Sequence, residues 1–253
     1  MTRTLPIPPG ETSSRDAPAA ASTRGVGTVL VTGAASGLGR AVAHAVATAG
    51  GRALLVDRVP VPDGPDGSLD AVADLADTAA AEAAVRDLVD RAGGLDGVVT
   101  AAGTDRCGAL ADVPAAEWER VVAVNLLGTA AVIRAALPAL TASRGTIVTV
   151  ASTLGLRALP DASAYCASKF GVVGMTRALA TELAGRVGVT LLVPGGMNTA
   201  FFDGRPDQYK PGPDAKLNDP ADVADAVVFA LTRPPGCELR EMVVCQSTEP
   251  SWP

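Results

Sequence analysis

Tyr165 and Lys169 stand one helical turn apart in the stretch AYCASKFGVVG. The chain has only two tyrosines and one histidine, so groups able to move a proton near neutral pH are few. A phenol ionises near pH 10, too high for a base at neutrality, and a nearby ammonium favours the phenolate. Spacing of i,i+4 puts the two side chains on one helix face. Lowering the phenol by about 3 pH units takes roughly 4 kcal/mol of differential stabilisation. A close, partly desolvated cation can supply much of that. By itself such a pair is more often a surface feature than a catalyst. Ser152 ends the apolar run GTIVTVAS upstream. A serine there commonly caps a turn, but its hydroxyl can also donate to an oxygen that gains charge. Asn125 sits among apolar residues in VNLLG and needs hydrogen-bond partners if buried. His44 lies inside a helix and reads as a packing or surface residue. Cys166 points about 100° away from Tyr165 around its helix and reads as packing.

A second constellation comes early in the chain. TGAASGLG carries Gly33, Ser36, Gly37, Leu38 and Gly39 between an apolar run and a helix. Glycines allow a tight turn and close backbone approach to a phosphate, while the helix N-terminus supplies N–H donors and a positive dipole end. Asp57 ends the second apolar run. A carboxylate there accepts from both hydroxyls of an adenosine ribose and repels a 2′-phosphate, which favours NAD over NADP. The neighbouring Arg58 reads as a solvated arginine, with pairing to a 2′-phosphate as the alternative. Asp74 and Leu75 are candidates to flank an adenine, or simply turn residues. Ala101, Ala102 and Gly103 are small enough for a flat ring to lie against their backbone.

Elements that would carry these groups alternate along the chain. Apolar runs at 27–33, 52–57, 69–75, 95–103, 145–152, 188–196 and 241–246 read as strands. Helices are expected over 39–51, 78–92, 114–142 (broken or bent near Pro138), 162–185 and 220–232. The strands are continuous rather than alternating, which means a parallel sheet covered by helices on both faces. Chemistry then belongs just beyond the strands' carboxyl ends. The expected organisation is an N-terminal disordered tail over residues 1–25 and one α/β domain over 26–253. Net charge is −6 with no basic cluster, which argues against nucleic acid or an anionic membrane as partner. No uninterrupted apolar run reaches the ~20 residues of a membrane span. Cys107, Cys166, Cys237 and Cys245 show no metal spacing, and with one histidine a metal site is not expected. They read as reduced thiols of a cytoplasmic protein.

Taken in order, TGAASGLG, Asp57, TAAG, Asn125, Ser152, YCASK and PGGMNT resemble the motifs of the short-chain dehydrogenases/reductases. The resemblance covers about residues 26–245, with Thr100 and Ala101 where the family commonly has two asparagines. It implies a single-domain Rossmann-like fold of about seven parallel strands. It implies Tyr165 as general acid/base, with Lys169 lowering its pKa and holding the nicotinamide ribose, Ser152 binding the substrate oxygen, and Asn125 positioning a water beside Lys169. Thr199 and the backbone at Pro194 and Gly195 would hold the carboxamide and phosphates. A homotetramer or homodimer through the helices near 114–142 and 162–185 is also implied.

Residues 195–219 form an irregular segment that reads as a substrate lid, with Met197, Phe201, Phe202, Tyr209 and Lys210. Leu154, Leu156 and Arg157 are expected in the same pocket. A ketone or secondary alcohol with an apolar body fits. Arg106, Arg157 and Lys210 are candidates to engage an anionic group, or else are solvated. The leading expectation is an NAD(H)-dependent oxidoreductase. An NADPH-dependent 3-oxoacyl-type ketoreductase and a non-catalytic nucleotide-sensing protein are the alternatives. Trp252, near the end of the sequence, needs a cover from a neighbouring subunit or from its own domain.

Overall fold

The computed structural model describes residues 24–234 and 236–252. Residues 1–23 of the expected tail lie outside the described residues. Arg24 is docked: its guanidinium donates to the carbonyl oxygens of Ser143 and Arg144 and pairs with Asp96 at 2.9 Å.

Seven parallel strands form one sheet. They are β1 (Thr28–Thr32), β2 (Arg52–Asp57), β3 (Leu69–Val72), β4 (Gly97–Thr100), β5 (Thr146–Val150), β6 (Gly188–Pro194) and β7 (Glu241–Val244), in the order β3-β2-β1-β4-β5-β6-β7. Helices α1 (Gly37–Thr48), α2 (Thr78–Ala92), α3 (Ala115–Val122), α4 (Thr129–Ser143), α5 (Ser163–Glu182) and α6 (Pro220–Leu231) run between them. Alternate residues of β1 feed opposite cores. Val29 and Val31 pack with Val42, Val46, Val223 and Val227 of α1 and α6. Leu30 packs with Val85, Leu88, Val132 and Leu140 of α2 and α4. Both faces are therefore covered, as continuous apolar strands require.

The expectation of continuous burial holds for the five inner strands. The edge strands β3 and β7 alternate between half-buried and exposed residues and are shorter than the sequence suggested. An edge strand meets fewer covering helices, so its outer face stays wet.

The long helical region differs in a second way. The chain does not break at Pro138, which lies inside α4. Arg134 and Pro138 are both exposed, so water can satisfy the carbonyl that loses its partner. The irregularity falls at Ala123–Gly128, a π-helical turn that joins α3 to α4 and buries Val124 and Asn125. The stretch Ala115–Ser143 is apolar enough over 18 residues to cross a bilayer, with mean hydropathy 1.7, but half of that window is buried inside this fold.

Candidate active site

Strand order reverses at β1, which lies between β2 and β4. Beyond the carboxyl ends of these strands lies a cleft of about 830 Å³. Such a switch point is where open α/β sheets bind ligands.

The β1–α1 turn forms one wall. Gly33 has φ +71°, and a Cβ there would lie 2.8 Å from the Ala102 Cα, so the turn approaches the segment after β4 as closely as glycine allows. The Thr32 hydroxyl accepts from Ala102 N at 3.1 Å and fixes that approach. Ser36 enters α1 extended, without a side-chain cap, and the first helical turn holds no acidic residue. Unused N–H groups and the positive end of the helix dipole suit a phosphate. Asp57 accepts from Ala35 N at 3.0 Å and Val59 N at 3.2 Å, which aims its carboxylate beside this turn. Arg58 is exposed and forms no ion pair among the described residues. Asp74 accepts from Ala76 N and pairs with Arg120 at 2.8 Å. Those bonds, the backbone one first, hold its carboxyl below the usual value. The residues present thus fit a nicotinamide dinucleotide.

The second wall comes from β5 and α5. Ser152 Oγ accepts from Leu154 N at 3.1 Å, so it does cap a turn, and it also faces the Tyr165 phenol. Tyr165 lies in the first turn of α5 and is 9 % exposed. Lys169 is 4 % exposed; its Nζ donates to the Val150 carbonyl at 2.9 Å and lies 5.6 Å from the Tyr165 ring centroid. Here the structure departs from expectation. Burial pushes Tyr165 up to about 12, although the Ser152 hydroxyl pulls the other way. Burial also brings Lys169 down to about 8, against the pull of Asp105. The ammonium is turned to Val150 O, and desolvation decides both groups.

Asn125 lies outside the cleft lining and is fully buried. Its side chain accepts from Thr104 N at 2.8 Å and donates to Thr104 O and Ser168 Oγ at 2.9 and 3.0 Å. It clamps the segment after β4 to α5. Thr100 Oγ1, where the family commonly has asparagine, is buried without a partner.

The cleft gathers Gly33, Ser36, Gly37, Leu38, Gly39, Asp57, Arg58, Asp74, Leu75, Ala101, Ala102, Gly103, Pro194, Gly195 and Thr199, together with Ser152, Tyr165 and Lys169. Leu154, Met197, Phe201 and Phe202 line its other end, with the Phe201 ring 5.8 Å from that of Tyr165. Leu156 and Arg157 do not line it; Arg157 donates to Pro250 O at 3.0 Å. Arg106 pairs with Glu117, and Lys210 with Asp207. None of the three cations singled out in the sequence stands free over the pocket.

Sequence reasoning missed Asp105, Arg205 and Glu249. Arg205 pairs with Asp105 at 2.7 Å, and its guanidinium lies 5.1 and 4.6 Å from the ring centroids of Phe201 and Phe202. Glu249 reaches the cleft because the segment after β7 folds back over β6 and Thr153. This chain's own segment after β7 thus supplies part of the cover over the cleft, and Trp252 stays 37 % exposed.

The glycine turn, the Asp57 carboxylate and Ser152, Tyr165 and Lys169 share one cleft. Residues 27–210 match the family model described as short chain dehydrogenase. The chain belongs to that family. It is 35% identical over 217 residues to (2S)-[(R)-hydroxy(phenyl)methyl]succinyl-CoA dehydrogenase subunit BbsD of Thauera aromatica, covering 79% of this chain and 87% of that protein. It is 37% identical over 217 residues to D-threitol dehydrogenase of Mycolicibacterium smegmatis, covering 79% and 84%. Its fold matches an alcohol dehydrogenase of the archaeon Thermococcus sibiricus, solved with 5-hydroxy-NADP, at a TM-score of 0.76 and 24% identity over 86% of this chain and 95% of that one. The protein is accordingly an oxidoreductase that transfers hydride between NAD(P) and a small-molecule alcohol or ketone.

Proposed function

We propose that the protein interconverts secondary alcohols and ketones with NAD(H) in preference to NADP(H), and that Tyr165 moves the proton. The observation that carries the nucleotide preference is the Asp57 carboxylate, held by Ala35 N and Val59 N beside the glycine turn. Gly33, Ser36, Gly37, Leu38 and Gly39 would hold the pyrophosphate, Asp57 the adenosine ribose, and Asp74 with Leu75 the adenine. Ala101, Ala102 and Gly103 would flank the nucleotide's flat surfaces. Lys169 would hold the nicotinamide ribose; Pro194, Gly195 and Thr199 would hold the carboxamide end.

When bound, the nicotinamide gives or takes the hydride. In the ketone direction the Tyr165 phenol donates its proton to the substrate oxygen, and in the alcohol direction its phenolate takes one. A phenol that burial keeps at about 12 is a poor source of phenolate. Ser152 and a protonated Lys169 supply stabilisation for the charged form. Ser152 donates to the substrate oxygen as charge builds there. Asn125 clamps Thr104 to α5 and would hold a water beside Lys169.

A second reading has one observation in its favour. Arg58 lines the cleft and has no carboxylate partner among the described residues, so it is available to a 2′-phosphate. The protein would then be an NADPH-dependent ketoreductase, and relatives with named substrates include both a thioester and a polyol dehydrogenase. Leu127 and Phe170, exposed on the π turn and α5, are apolar surface that a homodimer or homotetramer through these helices would cover. The free thiols of Cys107, Cys166, Cys237 and Cys245 accord with a cytoplasmic location. The single-domain organisation over 26–253 belongs to the same proposal.

Calorimetric titration of NADH and NADPH on wild type and Asp57→Ala tests the nucleotide reading. A preference for NADH that collapses in the variant is expected; a preference for NADPH in wild type selects Arg58 instead. Tyr165→Phe should lose nearly all turnover while still binding nucleotide. Turnover near wild type would remove Tyr165 from the reaction.

A further inference from the structure

Charge at the substrate end of the cleft is uneven. Arg106 pairs with Glu117, Arg205 with Asp105 and Lys210 with Asp207. Lys169 is turned to the Val150 carbonyl. One carboxylate lining the cleft there has no cation. Glu249, on the segment after β7, accepts from Gly196 N at 3.0 Å through Oε2. Its Oε1 accepts from Ser251 N at 3.2 Å and Ser251 Oγ at 2.6 Å. It forms no ion pair among the described residues; Arg157 donates through one nitrogen to Pro250 O at 3.0 Å.

A carboxylate offers about four acceptor positions, of which three donors fill three here. Burial opposes the charge on Glu249, but hydrogen bonds from Ser251 and Gly196 outweigh it and hold the carboxyl below its usual range. The group is therefore an anion at neutral pH. Ser251 Oγ also bonds Thr153 Oγ1 at 2.7 Å, so Glu249, Ser251 and Thr153 make one polar wall. Thr153 directly follows Ser152, which places this wall beside the reacting oxygen's donor. The remaining surface there is apolar, from Leu154, Leu159, Met197, Phe201 and Phe202.

We propose that Glu249 selects the substrate: it accepts a hydrogen bond from a second hydroxyl of a neutral, vicinally hydroxylated alcohol and turns away substrates bearing an anion near the carbinol carbon. The proposal rests on the oxidoreductase reading above and adds the class of alcohol. A donor brought to a partly desolvated carboxylate forms a charge-assisted hydrogen bond, stronger than a neutral one. A second anion brought to the same place meets the repulsion of a carboxylate that no ion pair neutralises among the described residues.

Three alcohols of one chain length test it: 2-butanol, 2,3-butanediol and 3-hydroxybutyrate. Each is measured for kcat/KM, and for affinity to the enzyme–NADH complex, in which an alcohol binds but no hydride can pass. In wild type the diol should exceed 2-butanol by about 10-fold or more, the gain of a hydrogen bond to a charged group. 3-Hydroxybutyrate should fall below both. In Glu249→Gln the diol's advantage should shrink about 10-fold and the penalty on 3-hydroxybutyrate should ease. Glu249→Asp keeps the charge but draws it back, and should lose the diol preference while still rejecting 3-hydroxybutyrate. The wild-type order needs no variant and reads the proposal even if a variant fails to fold. Equal or better use of 3-hydroxybutyrate by wild type overturns it, as does binding of none of the three alcohols. So does a diol ratio unchanged in Glu249→Gln, including the case where only NADH affinity falls and Glu249 belongs to the nucleotide. The oxidoreductase reading fails by other signs, loss of nucleotide binding or an active Tyr165→Phe, so the two failures are distinguishable.

Discussion

Arg205 and Asp105 join the lid to the sheet across the cleft, and a double-mutant cycle measures how firmly. The pair is 2.7 Å apart, with side chains 17% and 5% exposed. Two unit charges about 4 Å apart at an effective dielectric of 20 attract by about 4 kcal/mol. Ordering the arginine and residual solvent at its head reduce this, leaving a coupling of about 2 kcal/mol. Arg205→Gln strands the Asp105 carboxylate with Arg106 N at 2.7 Å and the Cys107 thiol at 3.3 Å as donors. It should cost about 2–4 kcal/mol in urea unfolding, near the range for breaking a buried pair. Asp105→Asn should cost less, because an exposed edge of Arg205 can recover water. The double variant should be more stable than the sum of the two losses by about 2 kcal/mol. Activity gives a second signature. Asp105 raises the Tyr165 pKa and Arg205 lowers it. Asp105→Asn should therefore move the alkaline rise of alcohol oxidation to lower pH, and Arg205→Gln to higher pH. Single losses that add within about 0.5 kcal/mol, with both pH profiles in place, would refute the latch.

Lys169 carries a stability cost that pH reveals. Its folded pKa is lowered from 10.5 to about 8, so between those values the unfolded chain binds the extra proton and stability rises with pH. Tyr165, raised from 10 to about 12, reverses the slope above pH 10. Nucleotide-free protein should gain stability from pH 8 to 10 in denaturant melts, and Lys169→Met should abolish the rise while stabilising the protein at pH 7 by up to about 3 kcal/mol. A flat wild-type profile would contradict the burial of a titrating Lys169. Thr100→Val removes a buried hydroxyl with no partner and should raise the melting temperature by about 2–4 °C, roughly 1 kcal/mol; a fall would show that Thr100 has a partner. Gly33→Ala forces a Cβ to within 2.8 Å of the Ala102 Cα at φ +71° and should weaken NADH binding more than it lowers stability. Unchanged affinity would mean that the turn does not hold the nucleotide.

What the sequence made legible was local or strictly ordered. Val29 to Val31 and Leu54 to Val56 announce buried strands by composition, and Gly33 announces a tight turn at φ +71°, where a Cβ would meet Ala102. Ser152, Tyr165 and Lys169 follow from the position of β5 and the start of α5. Asp105 and Arg205 lie 100 residues apart, and no periodicity links them. Glu249 reaches Gly196 only because β7 pairs with β6 and the chain then turns back. The π turn at Asn125 was hidden for a different reason. Pro138 is the stronger local helix breaker, yet it lies where solvent absorbs its fault, while the wide turn is held by tertiary bonds to Thr104 and Ser168. The burial that raises Tyr165 in the nucleotide-free protein was not legible either, because it depends on how deeply the helix is set, which spacing does not report.

The strand order also governs how the molecule can be made. Synthesis delivers β1, β2 and β3 first, and these already pair side by side. The other edge of β1 waits for β4, which arrives only after α2. Until then Val29, Leu30 and Val31 present open backbone donors and acceptors on an apolar strand, a template for any neighbouring chain in the same state. Parallel closure over such separations is slow. The glycine turn is fixed by Ala102, beyond β4, so the nascent half-sheet lacks the contact that shapes its own phosphate loop. Aggregation during expression should therefore be set by how quickly β4 docks, and a slower passage through residues 33–100 should worsen it.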